Sequence, residues 1–144
     1  MTPLYTPPNC DDTNSLASQW LNVSRLTEEV CGSSLTLAVS DLDLIQRLLD
    51  ADEIEPTAYA RQSLGVALGR VMARTIQGLD WWIVEDEYGR DPCLRYKRTT
   101  LQLNPITMIS KWLENGERVS VGELYLGASE ILEARRADAE RGVT

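Results

Sequence analysis

Apolar residues recur at helical spacing along most of the chain and switch to strand spacing in one stretch past its middle. After Asp11 and Asp12, the residues Leu16, Trp20, Val23, Leu26 and Val30 fall three or four apart, which predicts a helix stopped by Gly32. Ser40 can cap a second helix with the stripe Leu42, Ile45, Leu48 and Leu49. Beyond Pro56, Thr57 opens a third helix running to about Gln77 and ended by Gly78. Its stripe is Ala60, Leu64, Ala67, Leu68, Val71, Met72 and Ile76. Gly65 and Gly69 sit four apart on or beside that stripe, which predicts close approach of another element. Arg61, Arg70 and Arg74 rule out a membrane span there.

The period then changes. Trp81 to Val84 is a short run of strand formers, Glu87 to Asp91 has turn chemistry, and Cys93 to Lys97 alternates apolar with polar. Leu101 to Leu103 follows as a third strand. The close spacing predicts an antiparallel meander that needs helices over it. Asn104 and Pro105 start a fourth helix through Ile106, Met108, Ile109, Trp112 and Leu113, ending near Gly116. Ser120 and Glu123 form a capping-box pattern for a fifth, with Val121, Leu124, Ala128, Ile131 and Leu132 turned inward. The expected fold is α+β: about five helices packed on a small three-stranded antiparallel sheet. Residues 1–10, with three prolines, are expected as a flexible or surface-draped arm. Residues 11–144 form a single domain whose end, from Ala134, is charged and frays.

Composition narrows the chemistry more than the fold. The chain of 144 residues has no His, which removes the usual base near neutral pH and every Ser-His or Cys-His arrangement. Cys10, Cys31 and Cys93 are odd in number and widely spaced, so neither a disulfide framework nor a zinc site is expected. The N-terminus has no basic region followed by an apolar one, so no signal peptide is read. Together these predict a cytoplasmic protein without membrane association.

Charge adds a direction. The net charge is −8, which disfavours nucleic acid and anionic lipid and suits a basic protein partner. It is unevenly spread: Asp41 to Glu55 holds six acids and one Arg, and Asp80 to Asp91 five acids and one Arg. Pro56 to Gly78 and Pro92 to Asn104 carry three cations each and no acid. The two signs could simply neutralise each other across the fold. The functional alternative is an acidic face for a partner. Its residues would be Asp50, Asp52, Glu53, Glu55, Glu85, Glu87, Arg90 and Asp91, with Tyr59 and Tyr88 as aromatic anchors.

No motif supports catalysis or metal binding. On an extended strand Glu85 and Glu87 point one way and Asp86 the other, so the three do not converge on an ion. Calcium-loop, phosphate-loop and nucleophile-elbow patterns are absent, and no cofactor is expected. A carboxylate pair assembled from distant segments remains the one enzyme reading. Arg95-Tyr96-Lys97-Arg98 is a basic patch with an aromatic inside it. It is short and flanked by acids, so pairing with the strand of Glu85 to Glu87 is the simpler expectation.

Four runs carry a family resemblance: Asp41 to Asp50 (DLDLIQRLLD), Leu64 to Gly69 (LGVALG), Trp82 to Gly89 (WIVEDEYG) and Asn104 to Lys111 (NPITMISK). In that order the chain resembles a bacterial family known only as domain of unknown function 3806, over residues 12 to 132. The resemblance implies a bacterial origin and a single domain, and it implies no activity or catalytic residue. Small acidic bacterial proteins of this kind look like immunity partners of contact-delivered toxins, an analogy of composition and fold. The expected function is therefore a non-catalytic protein-binding domain, with a cognate toxin as one candidate partner. The alternatives are a self-associating adaptor or a small carboxylate enzyme, and the chain would be a monomer or homodimer.

Overall fold

The computed structural model describes residues 2–142. In chain order the elements are β1 (Leu4–Thr6), α1 (Cys10–Cys31), α2 (Asp41–Asp50), α3 (Ala58–Thr75), β2 (Leu79–Asp86), β3 (Gly89–Tyr96), β4 (Gln102–Leu103), α4 (Pro105–Glu114) and α5 (Val121–Arg141). The class is α+β, with five helices among the described residues and an antiparallel sheet of order β1-β2-β3-β4. No helix among them is long and apolar enough to cross a membrane.

The sheet has one strand more than the pattern predicts. Leu4, Tyr5 and Thr6 pair with Glu85, Val84 and Ile83, so part of the expected flexible arm is the edge strand of the sheet. Three residues between prolines carry no readable period, and only the exposed edge of β2 gives them a partner. Helix α1 starts at Cys10, capped by Asn9, whose side chain accepts from the Asp12 amide at 2.8 Å.

Helix α3 is the centre of the molecule. Seven consecutive residues, Ser63 to Gly69, are buried, and α3 packs against α1, α2, α4, α5 and β2. A helix enclosed on so many sides needs small residues where neighbours come close. A Cβ on Gly65 would lie 2.5 Å from the Ile106 Cα, and one on Gly69 would lie 2.6 Å from the Trp81 ring. The close approach expected at this glycine pair is therefore made by the start of α4 and by β2.

One hydrophobic cluster joins Val23, Ile45, Leu48, Leu64, Leu68, Met72, Leu94, Ile109 and Leu132 across the helices and the sheet. Burying each Leu side chain in it stabilises the fold by about 1.5–3 kcal/mol. Three apolar residues on the expected stripes are exposed: Ile131 at 45 %, Trp112 at 43 % and Val30 at 38 %. The end of α5 is more ordered than its charge predicts. Tyr96 donates its hydroxyl to Glu140, and Lys97 Nζ lies 2.9 Å from the same carboxylate, so the helix continues to Arg141 instead of fraying from Ala134. Of the segment expected to fray, Val143 and Thr144 lie outside the described residues.

Candidate functional site

The β2–β3 hairpin turns in two residues, Glu87 and Tyr88, between the paired Asp86 and Gly89. Gly89 has φ +127, a conformation that favours glycine, and Asp86 Oδ1 accepts from the Tyr88 amide at 2.9 Å. This places Tyr88 at the tip, 87 % exposed. Glu85, Glu87 and Asp91 are exposed around it. Arg90 is already engaged: it forks onto Asp12 of α1 at 2.8 and 2.7 Å. The Arg90 guanidinium and the Asn9 amide hold the Asp12 carboxyl down at about 2.

The ten expected partner residues do not form one patch. Glu85, Glu87, Tyr88, Arg90 and Asp91 share the hairpin. Tyr59 lies in a depression with Asn14, Ser18 and Gln19 of α1. Gln19 also lines the cleft beneath Tyr88, so the two tyrosines flank adjoining surface. Asp50 lines a third depression beside Arg118 and Glu123. Asp52, with φ 54, is the left-handed residue that stops α2, and Glu53 and Glu55 are exposed in the loop that follows. The first acidic segment also loses Asp41, which is 1 % exposed. Its carboxylate accepts from the Thr36 and Leu37 amides at 2.9 and 2.7 Å and closes the turn before α2. Ser40 makes no side-chain cap there.

The strand of the basic patch pairs with the strand of Glu85, as expected, and the register sets which charges meet. Arg90, not Arg95, stands opposite Glu85, while Arg95 stands opposite Asp80. The Arg95 guanidinium lies between two rings, 4.2 Å from Tyr5 and 4.6 Å from Trp82, and its Nε donates to the Thr99 carbonyl at 2.6 Å. Tyr5 crosses this face from β1 and donates its hydroxyl to Gln102 Oε1 on β4. Burial comes first in raising the Tyr5 pKa, and burial pushes the neighbouring Cys93 thiol up to about 11.

The same Gln102 turns toward a groove. Its Nε2 donates to Asn104 Oδ1 at 3.1 Å, so Asn104 occupies the cap position of α4 without capping it. A cleft of about 460 Å³ opens here, with Gln102, Asn104 and Lys111 on one side, Asp86 and Tyr88 of the hairpin on the other, and Gln19 and Gln62 from α1 and α3. A second depression shares Gln102, Asn104 and Lys111 and continues to Trp112. Sequence reading missed the groove because six elements each supply one or two polar residues, and no local spacing records that. Among the described residues no three acidic or sulfur side chains gather in a way that could hold a metal ion.

A family model described as "Domain of unknown function (DUF3806)" matches residues 41–125, from the first residue of α2 into α5. The chain belongs to the DUF3806 family. The DUF3806 segment contains the hairpin, Gln102, Asn104, Lys111 and Trp112, while β1 and α1 lie outside it. No curated protein matches the chain in sequence. A crystal structure at 1.50 Å resolution of a protein from Bacteroides thetaiotaomicron VPI-5482 is similar, with a TM-score of 0.81 over 89 % of this chain. Identity is 16 %, so the likeness is one of fold, and it reaches beyond the DUF3806 segment. The chain spans 47 % of that protein's length.

Proposed function

We propose that this DUF3806 chain is a non-catalytic protein-binding domain that docks a basic partner through its β2–β3 hairpin. The observation that carries the reading is Tyr88, an aromatic 87 % exposed at the end of a rigid two-residue turn, with Glu85, Glu87 and Asp91 exposed beside it. An aromatic side chain supplies contact area at small entropic cost, and surrounding carboxylates steer a cationic surface toward it. The Arg90–Asp12 fork ties the hairpin to α1, so the surface is set before a partner arrives. The narrower form of the proposal is an immunity protein covering a bacterial toxin. It rests on the acidic composition and on analogy alone.

Co-expression with the product of the adjacent gene tests both forms. The wild-type chain co-purifies with that product, and a Glu85→Lys/Glu87→Lys variant that keeps the wild-type circular dichroism spectrum does not. Relief of toxicity by the wild type and not by the variant supports the immunity reading. Equal co-purification of wild type and variant, or none of either, defeats the proposal.

A further inference from the structure

We propose that the groove between Tyr88 and Trp112 is a binding site for a short neutral oligosaccharide, independent of the basic-partner reading. Its two clefts adjoin at the start of α4, where they share Gln102, Asn104, Thr107 and Lys111. Tyr88 stands at one end, and Trp112, 43 % exposed, at the other. Four carboxamides line the cleft at Tyr88, namely Gln19, Gln62, Gln102 and Asn104, and the last two also line the depression that reaches Trp112. Each carboxamide offers donors and an acceptor side by side, which matches sugar hydroxyls that both give and take a hydrogen bond.

The amides are also oriented. The Tyr5 hydroxyl donates to Gln102 Oε1, and Gln102 Nε2 donates to Asn104 Oδ1. This relay fixes which way both amides face and leaves the Asn104 NH2 group and one Gln102 N–H for a ligand. Gln19 and Gln62 make no side-chain hydrogen bond among the described residues. Helix capping does not explain the relay, because it takes Asn104 away from its own helix. Groups locked by neighbours before binding lose less entropy on complex formation.

Charge and shape select the ligand class. The cleft holds Asp86, Asp91 and Lys111, and Asp86 is already committed to the Tyr88 amide. With two carboxylates against one ammonium the lining is net −1, which disfavours an anionic ligand. Tyr88 lines one cleft and Trp112 the adjoining one, and exposed rings of this kind can stack on the C–H faces of pyranoses. A peptide adding to the stretch of β3 that short β4 leaves unpaired is disfavoured by Pro92, which lines the cleft without an N–H to donate.

The test is NMR titration of the full chain with maltotriose, cellotriose and chitotriose, one at a time. At least one triose is expected to shift the Trp112 indole and the Gln and Asn side-chain amide resonances in a saturable way. Tyr88→Ala and Trp112→Ala are each expected to weaken that binding about five- to tenfold. Tyr88 is 87 % and Trp112 43 % exposed, and both variants are compared at a circular dichroism spectrum that matches the wild type. Glu85→Lys/Glu87→Lys leaves triose affinity unchanged, which separates this site from hairpin docking. Absence of saturable shifts with all three trioses overturns the proposal, as does binding that both alanine variants retain at full strength.

Discussion

Tyr5 on the first strand donates its hydroxyl to Gln102 on the last, although the two residues are 97 apart in the chain. The phenol crosses the outer face of the sheet, lies against Arg95, and sits near Cys93. It joins the N-terminal segment to the family segment and orients the groove amides.

Removing that hydroxyl should be felt modestly and removing the ring more. Tyr5→Phe is expected to cost about 1 kcal/mol, one hydrogen bond. Tyr5→Ala is expected to cost about 2 kcal/mol by leaving a gap over Cys93 and Arg95. Urea denaturation followed by Trp fluorescence measures both, and the two variants should differ in midpoint with an unchanged slope.

Thiol chemistry reads the same cover. In the native protein Cys10 is exposed, whereas Cys93 is buried with its thiol pushed up to about 11. Ellman's reagent at mild alkaline pH should label Cys10 quickly and Cys93 only on unfolding. In a Cys10→Ser/Cys31→Ser background, Tyr5→Ala should make Cys93 react measurably faster than in the Tyr5 parent.

Two helical glycines should respond to alanine with opposite signs. Gly65→Ala forces a Cβ against the α4 backbone and is expected to cost about 3 kcal/mol. Gly127, inside α5, has no atom within 4 Å of an added Cβ. Gly127→Ala should therefore raise stability by about 0.5–1 kcal/mol. Thermal melts of the two variants beside the wild type decide this.

Asp41 is buried and accepts hydrogen bonds from two backbone amides and the Thr36 hydroxyl. Asp41→Ala leaves those donors without partners and is expected to cost about 3 kcal/mol. Hydrogen exchange at Thr36 and Leu37 should accelerate in step with the loss.

Acid should loosen the hairpin from α1. The Asp12 pKa is lowered to about 2 from an ordinary carboxylate value, and that of Glu140 is lowered as well. A folded-state pKa below the unfolded one adds stability that is complete above the unfolded value. That stability is lost as pH falls through the folded one. Between about pH 4 and pH 2 the wild type should therefore lose stability more steeply than Asp12→Asn, measured as urea midpoints across that range.

The five helices were legible because apolar residues recur at helical spacing between caps and breakers, although α3 is buried nearly all round, and the Gly65–Gly69 pair announced a close neighbour before the neighbour was known. The hairpin was legible because Gly89 and two strand-forming runs encode it locally. Strand β1, the docking of Glu140 and the partner of Arg95 were not. Each depends on what another element, tens of residues away, places opposite it. The same holds for the proposed sites. Tyr88 and its acids were readable as a turn with charge, while Asp50 was carried to a separate depression by α2 and the adjoining of Tyr59 and Tyr88 across Gln19 was not readable. The sequence by itself determined the helical faces, the turn and the excess of acid, because periodicity and composition are local properties. Only the tertiary structure decided the Tyr5–Gln102–Asn104 relay and the groove it orients, because polar contacts between distant elements leave no period in the chain.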